Sequence, residues 1–284
     1  MSMRSYLSLL TGSFSTRAAA NPTVVMVEAA YRHHGLDARY VNCEVSPDAL
    51  GDAVRGARAM GWKGFNCSIP HKLAVTQHVD GLAGSAALIG AVNCVVKRDD
   101  ALIGENTDGR GFVASLRTIT DPADQQIVLF GAGGAARAIA VEAALAGAGS
   151  ITVVNRSAAP GAALVELIRT RTPATAQQAL WTTRYRVPED ASVVVNATSI
   201  GLLGAAQQSL DLDFDSLAPH MVVADVIPNP AQTPLLREAR RRGCATLDGR
   251  GMLVNQAVVG VELWTGIRPE ASVMRRAVDA ELGP

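Results

Sequence analysis

The sequence predicts an α/β protein of two domains, and three observations carry that reading. At 284 residues the chain exceeds the ~250 residues over which single cores usually stop growing. It is 48% hydrophobic, 18% charged and 4% aromatic, an Ala/Val/Leu/Gly-rich composition that suits packed sheets and helices and argues against disorder. Short apolar runs alternate with segments of helical spacing, as in parallel sheets joined by crossover helices.

The predicted strands are 6–10, 40–45, 64–65, 91–96, 127–130, 151–154, 193–196, 221–226 and 245–247. Residues 23–34 carry apolar side chains at helical spacing and stop at Gly35, while the Ala-rich 135–146 stops at Gly147-Ala148-Gly149. Both predict whole helices. Residues 158–163 read as a permissive loop running into a helix, and 112–116 as helical. A boundary is expected near 105–108, where Gly104 and Gly109 flank an acidic-polar turn. A second is expected at Asp248-Gly249-Arg250-Gly251, followed by an apolar stretch to Trp264 that could pack back on the first domain.

Charge excludes several classes of partner. Lys plus Arg and Asp plus Glu each number 26, so no global field recruits nucleic acid or an anionic membrane. No window approaches an uninterrupted apolar span of ~20 residues, so no membrane segment is expected. Cys43, Cys67, Cys94 and Cys244 show no metal-ligand spacing, no metal is expected, and a chain of this size needs no disulfide staples. A reducing cytosol fits best. The apolar helix faces are compatible with a core or with a homodimer interface.

Two segments carry chemistry. In Asn66-Cys67-Ser68-Ile69-Pro70-His71-Lys72 a lysine follows a proline-fixed turn, in a chain whose other lysines are only Lys63 and Lys97. An arginine stays protonated at any working pH, whereas a lysine can give up a proton, so Lys72 is a candidate for proton transfer. Taken alone it reads first as a surface charge after a turn. The second segment is Gly131-Ala132-Gly133-Gly134-Ala135-Ala136, which follows a strand and opens a helix. Gly131 allows the tight turn, Gly133 lets backbone approach a pyrophosphate, and Ala136 permits close helix-strand packing. Free N–H groups at the helix start then face the phosphates. The next strand ends in Asn155-Arg156-Ser157 and not in an acidic residue; a guanidinium there suits a 2′-phosphate and points to NADP.

These segments join Gly90-Ala-Val-Asn93, Asn106-Thr-Asp-Gly109, Asn196-Ala-Thr-Ser199 and Gly249-Arg-Gly-Met-Leu-Val-Asn-Gln256 in a pattern that resembles the shikimate dehydrogenase family, in the family's order and over nearly the whole chain. The resemblance implies a substrate-binding domain from 1–107 and 248–284, an N-terminal α/β part completed by the C-terminal helices, and a Rossmann-like NADP-binding domain at 108–247. It implies an NADP-dependent oxidoreductase that reversibly reduces 3-dehydroshikimate to shikimate or a related cyclic polyol, a small-molecule substrate. Lys72 and Asp108 are then the catalytic pair, and Ser68, Asn93 and Gln256 bind substrate hydroxyls. Besides Gly131 to Ala135 and Asn155 to Ser157, the implied cofactor contacts are Thr198, Val226 and Gly249. Alternatives are a quinate or aminoshikimate dehydrogenase using NAD, and a dinucleotide-sensing protein without turnover, against which the retained Lys72 and Asp108 speak.

The chain departs from the family at three places. The family opens with a Ser-x-Ser-Pro turn that holds the substrate carboxylate; counting back from Tyr31 places Asn21-Pro22-Thr23 there, whereas counting forward from Gly12 places Ser13-Phe14-Ser15. Asn21 and Thr23 are preferred, although either also serves as a helix cap. Pro228 stands where the family has tyrosine and offers no hydroxyl. Pro160 stands where a second basic residue commonly supports NADP, leaving Arg156 alone. The losses concentrate on the substrate carboxylate while the proton-transfer pair is whole.

Overall fold

The computed structural model describes residues 7–202 and 209–283; Tyr6, the start of the expected first strand, lies outside them. The chain forms two compact units, one from residues up to Thr107 together with Ala257–Gly283, the other from Asp108–Gln256.

The first unit contains strands β1 (Leu9–Ser15), β2 (Ala38–Glu44), β3 (Gly64–Cys67), β4 (Gly81–Leu82), β5 (Cys94–Arg98) and β6 (Ala101–Glu105). Its helices in the N-terminal part are α1 (Thr23–His33), α2 (Leu50–Ala59), α3 (His71–Ala74) and α4 (Gly84–Ile89). The sheet order is β2-β1-β3-β5-β6-β4. β1 runs parallel to β2 and β3, and β5 is antiparallel to β3 and β6. The register aligns Asn42, Ser13 and Asn66 in one row across three neighbouring parallel strands. Helix α1 buries Met26, Val27, Ala30 and Tyr31, and below the sheet Phe14 stacks on Phe65 at 4.4 Å between ring centres. Desolvation of Tyr31 pushes its phenol well above the ordinary value.

The first strand lies later than expected. Residues 6–10 attract a strand reading through their apolar side chains, but β1 runs over Leu9–Ser15, and Thr11, Ser13 and Ser15 are polar yet buried. Alternation of apolar and polar residues is the usual signature of a strand, and here polar side chains occupy the inner positions. The strand expected at 91–96 begins at Cys94, and the Asn93 before it turns its side chain onto the backbone of Thr107.

The second unit contains α5 (Asp108–Leu116), β7 (Gln126–Phe130), α6 (Gly134–Leu145), β8 (Ser150–Asn155), α7 (Ala158–Arg171), β9 (Thr175–Leu180), β10 (Val193–Asn196), β11 (Val222–Asp225), α8 (Pro234–Arg241) and β12 (Ala245–Leu247). All its strand pairings are parallel and the order is β12-β11-β10-β7-β8-β9. Numbered from β7 as first strand this is 3-2-1-4-5-6, the doubly wound arrangement whose order reverses between β7 and β10. Ala136, Ile139, Ala140 and Ala143 on α6 bury against Ile127 and Leu129 of β7. Residues 158–163, expected as loop, are the first turns of α7; Pro160 fits there because the first helical N–H groups have no intrahelical partner.

Helix α9 (Gly249–Thr265) carries the chain from the second unit back to the first, and α10 (Ala271–Leu282) packs against α1. Trp264, near the end of α9, donates its indole N–H to Val95 O at 3.0 Å. Among the described residues no helix is long and apolar enough to cross a membrane.

Candidate active site

In the second unit the expected cofactor residues gather at the carboxyl ends of the parallel strands. Gly131 leaves β7 with φ +108°, a region that side-chain-bearing residues rarely adopt, and the chain turns there into α6. A Cβ on Gly131 would lie 3.0 Å from Ala197 O and 3.3 Å from the Thr198 methyl, so the turn after β7 and the turn after β10 touch where the strand order reverses. Gly133 and Gly134 have open space where side chains would stand. That space and the unpaired N–H groups at the start of α6 fit a pyrophosphate.

Asn155 ends β8 and turns its amide onto Ser157 O at 2.8 Å, closing the turn into α7. Arg156 between them is exposed. Asn196, at the end of β10, accepts from both the Thr198 N–H (3.0 Å) and hydroxyl (2.7 Å) and donates to Asp225 Oδ1 (3.1 Å). Asp225 also accepts from Ile227 N (3.2 Å) and the Thr233 hydroxyl (2.7 Å). Burial pushes its carboxyl up to about 6, against the opposing pull of these hydrogen bonds. This polar knot fixes the loops that present Thr198 and Val226. Sequence reasoning missed Asp225 as their anchor, although it stands at a strand end beside the Asn196 motif. A Cβ on Gly249 would overlap the backbone of Val226 and Ile227, so Gly249 and Val226 are neighbours. Gln256 is buried and donates to Leu253 O within its own helix at 3.0 Å, and a Cβ on Gly111 of α5 would strike the Gln256 backbone. Asp108 is half-buried and is the first residue of α5.

In the first unit the polar side chains stand at the ends of β1, β2 and β3. Asn66, buried, accepts the Tyr40 hydroxyl at 2.7 Å and donates to Asn93 O at 3.0 Å. Asn93 is buried; its Oδ1 accepts from Thr107 N (2.7 Å) and its Nδ2 donates to the Thr107 hydroxyl (3.0 Å). Ser68 is exposed, its backbone N–H donates to Phe14 O at 3.1 Å, and its carbonyl accepts from His71 N at 2.7 Å, shaping the turn that leads to Lys72. Lys72 is half-buried, and its charge acts on the Cys67 thiol, which burial nevertheless pushes up to about 12. Cys67 is therefore an inert thiol. His71 is buried and donates its Nε2–H to Val45 O at 2.8 Å.

Both candidate positions for the first substrate turn fall into one cluster. Asn21 Nδ2 donates to Ser13 Oγ at 3.1 Å, and Asn21 Oδ1 accepts from Thr23 N at 3.0 Å, which caps α1. Thr23 itself is buried, whereas Asn21 is half-buried. Asn42 of β2 completes the cluster, accepting from Ser13 Oγ at 2.8 Å and donating to Asn21 O at 3.1 Å. No sequence signal had singled out Asn42, which is remote in the chain and joins through strand register alone.

The comparisons agree with this architecture. The family model of the shikimate dehydrogenase substrate binding domain matches residues 19–95, and that of the shikimate 5′-dehydrogenase C-terminal domain matches 249–278. The shikimate dehydrogenase (NADP(+)) of Geobacter sulfurreducens is 41% identical over 263 residues, covering 91% of each chain. The chain belongs to the shikimate dehydrogenase family. Its fold and chemistry are accordingly those of an NAD(P)-dependent oxidoreductase family with an α/β architecture. Among solved members, a ligand-free 5-ketofructose reductase from a Gluconobacter species superposes with a TM-score of 0.95 at 55% identity, covering 98% of this chain and 100% of that one. The shikimate 5-dehydrogenase of Listeria monocytogenes, in complex with shikimate and NAD, superposes with a TM-score of 0.88 at 32% identity, covering 95% of this chain and 96% of that one.

Proposed function

We propose that the protein is an NADP(H)-dependent reductase of a neutral polyhydroxy ketone, with Lys72 and Asp108 as its proton-transfer pair. The observation that carries the substrate class is the 55% identity, over 98% of the chain, to a 5-ketofructose reductase, against 41% to a shikimate dehydrogenase. A ketofructose is a polyol ketone without a carboxylate. The departures of this chain, asparagine in place of the first family serine and Pro228 in place of tyrosine, fall on the groups that the family uses to hold a carboxylate. Shikimate, placed first on the sequence alone, becomes the second reading, favoured by the relatives at about 40% identity.

The residues present fit the cofactor. Gly133 and Gly134 leave room above the start of α6, and Arg156 stands exposed at the end of β8, where the 2′-phosphate of NADP would lie in this fold. Asn155 and Ser157 shape that turn, Thr198 sits against the Gly131 turn, and Val226 with Gly249 forms a small apolar patch suited to a nicotinamide. When bound, the nicotinamide supplies the hydride for reduction. The chain supplies the proton: the Lys72 ammonium donates to the ketone oxygen as the carbon takes up hydride, and Asp108 is assigned as the acidic member of the pair. In the reverse direction Lys72 takes the hydroxyl proton. Ser68, Asn93 and Gln256 are assigned to substrate hydroxyls, with Asn21 and Thr23 at the far end of the molecule. A cytoplasmic location is a further part of this reading, supported by the cysteine usage, and a homodimer is compatible with the apolar helix faces.

The test is absorbance at the nicotinamide band with NADPH and, in turn, 5-ketofructose and 3-dehydroshikimate, and with NADP and shikimate or quinate. Rapid turnover of the ketofructose supports the reading. Turnover confined to the carboxylates replaces it with the second reading, and cofactor binding without any turnover indicates a sensor.

A further inference from the structure

We propose that Asn42 is a specificity-determining residue of this enzyme, setting the Ser13-Asn21-Asn42 cluster to read neutral hydroxyls and to disfavour a carboxylate; the proposal rests on the substrate class inferred above. Asn42 Nδ2 faces the Asn21 carbonyl, which can only accept, so the Asn42 amide has one orientation and its Oδ1 must face Ser13. Asn21 Oδ1 faces the Thr23 N–H, which can only donate, so its Nδ2 must face Ser13. Ser13 therefore donates its single proton to Asn42 and accepts from Asn21.

Tyr40, whose hydroxyl lies beside Ser13, does not change this. Its proton goes to Asn66 Oδ1, and the Asn66 amide is itself oriented by donating to the Asn93 carbonyl. Tyr40 brings only a lone pair towards Ser13. A serine hydroxyl at this place thus has no proton for a substrate, and Ser13 is fully buried.

What the cluster offers outward is the unused capacity of the two half-buried amides. Each Nδ2 has one hydrogen left, and Asn42 Oδ1 has one lone pair left. A mixed edge of this kind is matched by hydroxyls, which donate and accept. A carboxylate only accepts, so it would set its negative oxygen against the Asn42 oxygen with no proton between them, and such a mismatch discriminates. The cluster lies at the carboxyl ends of β1 and β2, beside the β3 end that leads to Ser68 and Lys72, where open α/β sheets bind ligands.

The experiment compares kcat/KM of the wild type and Asn42→Ala for 5-ketofructose and 3-dehydroshikimate with NADPH. Removing the amide removes the Asn42 oxygen that opposes a carboxylate, so the ratio of ketofructose to dehydroshikimate efficiency falls by about tenfold or more, mainly through KM. An equal loss on both substrates, or no change on either, overturns the assignment and leaves Asn42 a structural residue. Should Asn42→Ala fail to fold, Asn42→Thr removes the amide while suiting a strand. The wild-type preference alone judges the proposed function: if it favours dehydroshikimate, that reading fails, while the shift of the ratio in the variant still decides the role of Asn42.

Discussion

The two units finish their sheets in different chemical languages. At the ends of β7, β8, β10 and β11 the proposed recognition is built from backbone and from space, with Gly131, Gly133, Gly134 and Gly249 supplying turns and close approaches. At the ends of β1, β2 and β3 it is built from side-chain amides and hydroxyls, with Ser13, Asn21, Asn42, Asn66 and Asn93 bonded to one another or to backbone. A phosphate cradle tolerates changes of side chain and demands glycine at fixed spacing. A polyol site demands that each donor meet an acceptor, and one substitution can reverse its preference.

The sharpest break of this comparison is at Lys72. Lys72→Ala is expected to lower kcat by about a thousandfold or more, roughly 4 kcal/mol, while NADPH affinity stays within about twofold, because the residue lies in the first unit and is assigned to the chemical step. Asp108→Asn is expected to lose less. Stopped-flow single turnover with fluorescence titration of NADPH checks both, and a parallel loss of cofactor affinity in Lys72→Ala would remove it from catalysis.

The next effect lies in the second unit and concerns stability. Asp225 titrates near 6 in the folded protein, above the ~3.9 of an unfolded chain, so the native state holds a proton that the unfolded state has lost. The sign follows: this group lowers stability as pH rises from about 4 to about 6, by up to ~3 kcal/mol, and its contribution is level above that window. Asp225→Asn is expected to flatten the slope of urea-unfolding stability across that window. An unchanged slope would mean that the hydrogen bonds from Asn196, Ile227 and Thr233 outweigh desolvation.

How far these regions were legible follows from the same difference. The Gly-rich turn, its strands and helix α6 are written as local patterns, and the structure has them where they are read. β1 was displaced because Thr11, Ser13 and Ser15 are buried polar residues, which hide strand alternation. Those residues are polar because they bond the site cluster or its surroundings, so the local rule failed where the site required it. Asn42 could not be read at all: its role comes from pairing with Ser13 across strands, and nothing local marks it. The two candidate turns at Ser13 and Asn21 lie together in the fold, joined by a hydrogen bond that no local pattern reveals. Asp225 left a weak trace, an acidic residue at the end of a hydrophobic strand.

The smallest effect is on cofactor choice. Arg156 is the basic residue at the end of β8, and Pro160 occupies the place of a second, so Arg156→Ala is expected to lower the NADP-to-NAD preference by about tenfold to thirtyfold, or ~1.4–2 kcal/mol. Michaelis constants for the two cofactors check it, and an unchanged ratio would move 2′-phosphate recognition to another residue.

The proposed substrate class turns on which ketone the enzyme reduces. The direct measurement is kcat/KM of the wild-type enzyme for 5-ketofructose and for 3-dehydroshikimate, under the same NADPH concentration and pH. A preference for the ketofructose of at least ~100-fold is expected where a charged group meets an edge it does not match. Equal efficiency, or a preference for dehydroshikimate, would contradict it.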